Sequence, residues 1–452
     1  MRDDLAIRLL EKLTTGAKTA RQLASALDVS QPSISRGIAN LGSAVLTLGR
    51  GRATQYARPR VVRGLASDFP VYRINTSGDA EVIGRLHALM GGEYWWQSEE
   101  EGRSSRLYTY LPWFIQDMRP DGFLGRAFAN KEAIDLGLPE KLNDWNDDDV
   151  LIALSRRGEN HIGNLIIGDE SIRRYLRSAQ PPLQGVEADA RGRIYPELAE
   201  QALRGEAPGS SAGGEQQKFT ASIQEGGALR HVLVKFSSPL QSQEGRRWAD
   251  LLVCEHWALR MVAEAGIAAA QSRILASGDR IFLEVDRFDR VGSLGRASLF
   301  SLRAIDAEYA GIGDDWVRCA VALQKAGVLS ADDVKKVRWL KAFGSLIGNT
   351  DMHTGNLSFI RTGPSFYALA PVYDMLPMLY RPVSGDVPER VFSPKGPTTD
   401  TAEVWAEALR CAVQFWEVMA EVADLSDGFR AICKENRETL LKFEVGPKII
   451  VR

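Results

Sequence analysis

The chain has 452 residues, of which 44% are hydrophobic and 25% charged, with a formal net charge of −2. That composition supports packed cores in about two or three domains of a globular, soluble protein. No apolar run reaches the roughly 18 to 20 residues of a membrane span, and no apolar signal region follows Met1-Arg2-Asp3-Asp4, so neither a membrane partner nor export is expected. Cys254, Cys319, Cys411 and Cys433 form no Cys-x-x-Cys pair and no Cys/His cluster. Disulfide scaffolds and structural zinc are therefore disfavoured, and reduced, packed thiols in a cytoplasmic protein are expected.

Charge is unevenly spread. Through Arg63 eleven Lys and Arg residues stand against four acidic ones, a balance of +7 that leaves −9 for the remainder. A basic head on an acidic body points to an end that faces nucleic acid. Leu5, Leu9, Leu10 and Leu13 recur at helical spacing, and Ala20 to Leu27 gives a second short helix. After the turn at Asp28-Val29, Ser30 can cap a third helix, roughly Gln31 to Leu41, with Pro32 in its first turn. Ile34, Ile38 and Leu41 then turn inward, leaving Gln31, Ser33, Ser35, Arg36 and Asn40 available to a DNA groove. Val45 to Leu48 and Thr54 to Ala57 flank Gly49-Arg50-Gly51-Arg52, a β-hairpin whose tip offers Arg50 and Arg52 to a phosphate backbone or minor groove. Residues 1–63 read as a winged helix-turn-helix DNA-binding domain, similar to winged-helix regulators of the MarR and IclR kind. A small helical domain that packs on the body or forms a homodimer is the alternative.

Residues 64–104 read as a connector of mixed short strands and a helix, in which Tyr94, Trp95 and Trp96 are core or interface aromatics. Further on, Pro208-Gly209-Ser210-Ser211-Ala212-Gly213-Gly214 has the composition of a surface linker. Its position favours a phosphate cradle, because it precedes the strand-like run Lys218 to Ile223 and the alternating strand His231 to Phe236, which carries Lys235 near its end. A helix from about Arg247 to Ala265 turns Leu251, Leu252, Leu259 and Val262 inward and carries Glu255. Glu255 is a candidate partner for Lys235, by analogy with the Lys–Glu pair of kinases, or else a solvated surface charge. Ile281 to Val285 then runs from apolar into the charged stretch Asp286 to Arg290.

Helices over Ser301 to Asp306, Trp316 to Lys325 and Ala331 to Ile347 lead to Leu346-Ile347-Gly348-Asn349-Thr350-Asp351-Met352-His353-Thr354-Gly355-Asn356. Asp351 precedes Asn356 by five residues, the Asp-x4-Asn spacing of a kinase catalytic loop, where a carboxylate orients the attacking hydroxyl and an amide oxygen helps hold a metal on the phosphates. A second carboxylate, Asp374, follows eighteen residues after Asn356, beyond a hairpin-like stretch from Ser358 to Tyr367. Taken alone, the spacing also fits a turn in which Asn349 and Asp351 cap local backbone. His353 fits either a ligand or base or, as a histidine in such a loop more often does, a residue that orders the loop by hydrogen bonding. From Thr401 to Leu441 the tail is helical, with a core stripe through Trp405, Leu409, Val413, Trp416 and Met419.

Asn349-Thr350-Asp351-Met352-His353-Thr354-Gly355-Asn356 and Tyr373-Asp374-Met375-Leu376-Pro377 match the Asn-Thr-Asp-x-His-x-x-Asn loop and Tyr-Asp-x-x-Pro motif of HipA-family kinases, the toxin halves of bacterial toxin–antitoxin pairs. The resemblance covers about residues 105 to 445, and Gly213, Gly214, Lys218 and Lys235 fit the family's Gly-Gly-x-x-x-Lys pattern before its ATP lysine. It implies ATP and Mg²⁺ as cofactors: Asp351 and Asn356 catalytic, Asn356 and Asp374 on the metal, and Gly213, Gly214, Lys218, Lys235 and Glu255 around the phosphates. Asp286 and Phe288 would flank the base. A loop serine, Ser210 or Ser211, would be autophosphorylated, although the Glu215-Gln216-Gln217 insert departs from the family. It further implies a protein substrate, with an aminoacyl-tRNA synthetase as first candidate, and a separate antitoxin.

The expected architecture is α+β: a winged helix-turn-helix domain over 1–63, a connector over 64–104, a HipA-like N-terminal lobe over 105–290 and an α-rich catalytic lobe over 291–452, in a two-lobed protein-kinase-like fold. The expected function is a serine/threonine protein kinase with a built-in DNA-binding domain. The competing reading is a transcriptional regulator or DNA-acting toxin whose kinase-like body binds nucleotide without phosphorylating a protein.

Overall fold

The structure, a computed structural model, describes residues 2–101, 103–178, 185–205, 215–313 and 315–445. It is a mixed α+β chain in which sheets and their helices follow one another along the sequence.

The head begins with helices Arg2–Lys12, Ala20–Leu27 and Gln31–Leu41. Thr19 and Gln22 form a reciprocal capping box on the second helix, and Ser30 accepts the Ser33 N–H to cap the third, with Pro32 in the first turn. Leu9, Leu13, Leu23, Leu27, Ile34 and Ile38 fill the space between them, and each fully buried leucine contributes roughly 1.5–3 kcal/mol. Strands Lys18–Thr19, Gln55–Ala57 and Leu46–Leu48 pair antiparallel, with Gln55–Ala57 in the centre. Leu48 and Ala57 pack against Leu89 and Trp95 of the next unit. There the backbones of Gly16 and Gly91 meet. Gly91 has φ +86°, and a Cβ on it would stand 2.6 Å from the Gly16 nitrogen, so only glycine allows that approach.

The stretch 64–104, read above as a connector, is instead the body of a five-stranded antiparallel sheet. Asp68–Ile74 pairs with Ala80–Ala88, which pairs with Tyr94–Ser98, and Arg106–Tyr108 closes one edge. The far edge is Leu165–Ile167, joined to Asp68–Ile74. Helices Gly122–Leu136, Asp147–Arg157 and Asp169–Ser178 belong with this sheet. The boundary expected at 104–105 therefore falls between two paired strands of one sheet, Tyr94–Ser98 and Arg106–Tyr108. Strand pairing across some ninety residues overrides the local pattern.

The next sheet has the order Ser272–Ser277, Arg280–Asp286, Ala228–Phe236, Lys218–Glu225, Val186–Glu187, and only its last pairing is parallel. Helix Arg191–Leu203 covers one face, where Tyr195 packs on Phe219 and Phe282. Helix Gln243–Glu264 covers the other, burying Leu252 against Leu283 and Val285.

The C-terminal body is helical: Leu302–Tyr309, Trp316–Lys325, Ala331–Leu346, Ala402–Glu421 and Asp427–Val445. Trp416 is wholly buried and donates its indole N–H to the Leu346 carbonyl at 3.1 Å. A three-stranded antiparallel sheet, Phe300–Ser301, Ser358–Arg361 and Tyr367–Leu369, crosses this body. Among the described residues no helix is long and apolar enough to cross a membrane.

Candidate active site

The site begins with strand register. Lys218 stands opposite Lys235, so the two-residue period of a strand sends both side chains to the face covered by helix Gln243–Glu264. Both are buried, and ammonium groups held out of water require anions beside them. Glu255, buried on that helix, accepts from Lys235 Nζ at 2.7 Å through each carboxylate oxygen. Asp374 Oδ1 is a further partner of the same ammonium.

Burial by itself would depress Lys235, but Asp374 and Glu255 outweigh it and hold its pKa above the ordinary lysine value. Burial likewise acts to raise Asp374, and the charges of Lys235 and Lys218 overcome it, so its pKa lies below the usual aspartate range. Glu255 is raised by its burial, with Asp374 adding like-charge repulsion and Lys235 opposing the rise. Lys218 is pulled down to about 8, first by burial and then by Lys235, with Asp374 working against the fall. The cluster is thus anchored by one firmly charged lysine and contains a second whose pKa burial pulls down to about 8.

The other half comes from the chain after helix Ala331–Leu346. Gly348 turns with φ +74°, and the buried Asn349 then joins two segments. Its Oδ1 accepts the Asp351 N–H at 3.0 Å, and its Nδ2 donates to the Asp374 carbonyl at 3.4 Å. Asn356 Nδ2 donates to the Asp351 carbonyl at 2.9 Å and reaches its carboxylate Oδ2 at 3.4 Å. The Trp316 indole N–H donates to the His353 carbonyl at 2.8 Å, and His353 Nδ1 accepts the Gly355 N–H at 3.0 Å. His353 orders the loop.

The hairpin beyond Asn356 returns the chain to Val372, which brackets Ala269: the Ala270 N–H donates to the Val372 carbonyl at 2.9 Å, and the Val372 N–H to the Ala268 carbonyl at 2.8 Å. Tyr373 fastens this return to the loop, its hydroxyl 2.6 Å from Ser358 Oγ and donating to the Gly355 carbonyl at 3.1 Å. Asp374 follows with φ +54°, a left-handed conformation that short polar side chains tolerate better than others.

The structure therefore brings Lys235, Glu255 and Asp374 into direct contact with Lys218 alongside, and Asp351 into contact with Asn356. Asn349 links the two groups. Phe288 lies on the same side of the sheet, its ring 6.0 Å from that of Tyr373. Asp286 does not join them. It pairs across the strands with Val232 on the opposite face, its carboxylate binds Arg230, and its N–H donates to the Gln271 carbonyl at 2.8 Å. Alternation along the strand, which separates Asp286 from Lys235, rules out a side-chain role for it in the cleft. Gly213, Gly214, Ser210 and Ser211 lie outside the described residues. Asn349 caps local backbone, as the turn reading has it, and in addition reaches the Asp374 carbonyl. That link and the roles of Tyr373 and Ser358 have no signal in the sequence pattern beyond the nearness of Asn349 and Tyr373 to the two acids.

For a metal, Asn356 and Asp374 supply an amide oxygen and an ionised carboxylate, the hard donors that suit Mg²⁺. Among the described residues no group of three or more His, Cys, Asp or Glu is placed to hold a metal ion. This donor set fits an ion that takes its remaining ligands from phosphate and water. On the head, Gln31, Ser35, Arg36, Asn40, Arg50 and Arg52 are exposed, and Ser33 is half-buried with its hydroxyl 2.9 Å from that of Ser30.

Residues 65–176 match the family described as YjjJ-like toxin, middle domain, and residues 210–439 match the HipA-like C-terminal domain. The chain is 36% identical over 438 residues to a protein named Toxin YjjJ from Escherichia coli (strain K12), covering 96% of this chain and 98% of that protein. Among solved structures it is similar to a chain of a Shewanella oneidensis MR-1 complex of HipA, HipB and operator DNA, at 14% identity and TM-score 0.48 over 82% of this chain and 96% of that one. A second is the Helicobacter pylori proinflammatory kinase CtkA, at 15% identity and TM-score 0.35 over 53% of this chain and 96% of that one.

Proposed function

The chain belongs to the HipA-like family and carries the middle domain of YjjJ-like toxins, and from that premise we propose that it is an ATP- and Mg²⁺-dependent serine/threonine protein kinase joined to a winged helix-turn-helix DNA-binding head. The observation that carries this reading is the buried Lys235–Glu255 pair, joined by the half-buried Asp374 and linked through Asn349 to Asp351 and Asn356. The sheet and the helical body on either side are then the two lobes of a kinase-like fold.

Lys235 pairs with ATP phosphates, and Glu255 fixes its direction and keeps it charged. Lys218 adds a second positive charge, with Gly213 and Gly214 in the covering loop. Asp351 accepts the hydrogen bond of the attacking hydroxyl and orients it. Asn356 and Asp374 would hold Mg²⁺, which would supply neutralisation of charge on the phosphate oxygens. Phe288 and Tyr373 offer ring surface to the base. The substrate is a protein hydroxyl, with an aminoacyl-tRNA synthetase as the first to test. Ser210 or Ser211 is the site of self-phosphorylation, and a separate antitoxin and a second copy of the chain are further candidate partners. The exposed face of helix Gln31–Leu41 and the tip bearing Arg50 and Arg52 support DNA binding by the head.

The test is incubation of wild type and Asp351→Ala with labelled ATP, Mg²⁺ and cell lysate, followed by identification of labelled proteins. Label on a discrete protein or on the chain itself, reduced by about 10²- to 10⁴-fold in the variant, supports the reading. ATP binding without transfer would instead favour the nucleotide-sensing DNA regulator. A phosphopeptide map of ATP-treated protein with neither Ser210 nor Ser211 labelled would remove self-phosphorylation at this loop.

A further inference from the structure

A second cavity lies away from the cleft, between the middle sheet and the hairpin that joins Asn356 to Asp374. Its volume is about 380 Å³, within the range of about 300–1,000 Å³ typical of small-molecule sites.

One wall is cationic. Arg73 Nη1 lies 2.6 Å from Glu100, Arg361 Nη2 3.5 Å and Arg103 Nε 3.6 Å from the same carboxylate. Arg73 has a second, largely exposed partner in Glu81. Among the described residues Arg103 and Arg361 otherwise reach carbonyls, those of Pro364 and Gly363. Arg103 Nε is buried without a hydrogen-bond partner. Burial, followed by repulsion from Arg103, pulls the Arg361 pKa down. Three guanidinium groups mostly removed from water thus share one internal carboxylate, an arrangement in which a further anion is electrostatically favoured.

The lining also includes aromatic side chains, Trp96, Trp113, Phe114 and Phe300. The Trp96 and Phe114 rings meet edge to face at 5.1 Å, and those of Phe300 and Tyr367 at 6.0 Å. Aromatic side chains in the same cavity as a planar fork of donors select for shape as well as charge.

We propose that this cavity binds a small organic anion built on a planar ring, the ring lying against the aromatic side chains and a phosphate or carboxylate held between Arg103 and Arg361. None of these side chains belongs to the ATP cleft, so the site does not depend on the kinase reading.

The experiment is calorimetric titration of the full chain with 1-naphthyl phosphate and, in parallel, 1-naphthoate, to distinguish a phosphate from a carboxylate. Uncharged 1-naphthol and inorganic phosphate each carry one half of the recognised chemistry. Saturable one-to-one binding of at least one naphthyl anion is expected, weakened about tenfold or more in Arg361→Gln and Arg103→Gln. Each control should bind at least about tenfold more weakly. Arg410→Gln, which removes an exposed charge on helix Ala402–Glu421, should leave binding unchanged. If a glutamine variant does not fold, Arg361→Lys keeps the charge but loses the two-pronged geometry, and weaker binding is again expected. No saturable binding of either anion to the wild type, or binding that folded Arg361 and Arg103 variants leave unaltered, would overturn the proposal.

Discussion

Arg50 and Arg52 stand exposed at a hairpin tip in the head, whereas Lys218 and Lys235 are buried on a sheet face with Glu255 and Asp374. The same formal charge has different physics in the two places. At the tip it is solvated and screened, so it acts through many weak contacts whose sum depends on salt. In the cleft it is held in a fixed direction, and each charge there matters both to the fold and to whatever anion enters.

The largest effect expected from that contrast is at Lys235. Lys235→Met leaves the buried Glu255 and the half-buried Asp374 without their common cation, and a loss of about 3–5 kcal/mol is expected in denaturant unfolding, together with loss of ATP-dependent transfer. The pH dependence has a definite sign. Glu255 already titrates above its ordinary value, and without Lys235 it rises further. A carboxylate raised in the folded state favours folding below its unfolded pKa and loses that contribution as pH rises through the folded value. The deficit of the variant should therefore shrink toward acid pH. Adding Glu255→Leu should restore much of the stability and none of the transfer, separating the structural from the chemical use of the pair.

Much of this contrast was readable from local pattern. Ser30 and Pro32 fixed the start of helix Gln31–Leu41 because capping is decided within a few residues. The alternation through His231 to Phe236 identified the strand bearing Lys235, and helical spacing placed Glu255 on its own helix. What escaped was non-local. Asp68–Ile74 finds its edge partner only at Leu165–Ile167, and that pairing has no signature inside either segment. Asp286 ends the strand Arg280–Asp286, and its face depends on register with Val232, which its own segment does not reveal. The head's charge was also over-read: Arg60 and Arg63 bind Asp148 and Asp149 at the start of helix Asp147–Arg157 and are not free for DNA. Net charge counts such residues and cannot say where they point.

A smaller effect should appear at Lys218, whose pKa is lowered to about 8 by its burial. Phosphate in the cleft favours the charged amine. Below pH 8 the free protein already carries that proton, so ATP affinity is insensitive to this group. Above pH 8 binding must take up a proton, and affinity should fall by up to about tenfold per pH unit. Calorimetry at pH 7, 8 and 9, in buffers of different ionisation enthalpy, reads the affinity and the proton uptake together. Lys218→Arg should flatten the profile. A wild-type profile already flat to pH 9 would remove Lys218 from phosphate binding.

The smallest effects belong to the head, where its arginines divide into two kinds. Replacing Arg50 and Arg52 with alanine should change stability by no more than about 0.5 kcal/mol each. The same changes should weaken DNA binding across sequences and reduce the salt slope by about 1 for each phosphate that is no longer neutralised. Arg60→Ala should do the reverse. Its guanidinium makes a two-pronged contact with Asp148, which also accepts the Tyr94 hydroxyl at 2.8 Å. Removing it should cost about 1–2 kcal/mol of stability while leaving the salt slope of DNA binding unchanged. If Arg60→Ala lowers the slope as much as Arg50→Ala, the division between solvated and internally paired arginines fails. If neither tip arginine alters the slope, the hairpin does not touch a phosphate backbone, and the exposed face of helix Gln31–Leu41 must account for any binding by itself.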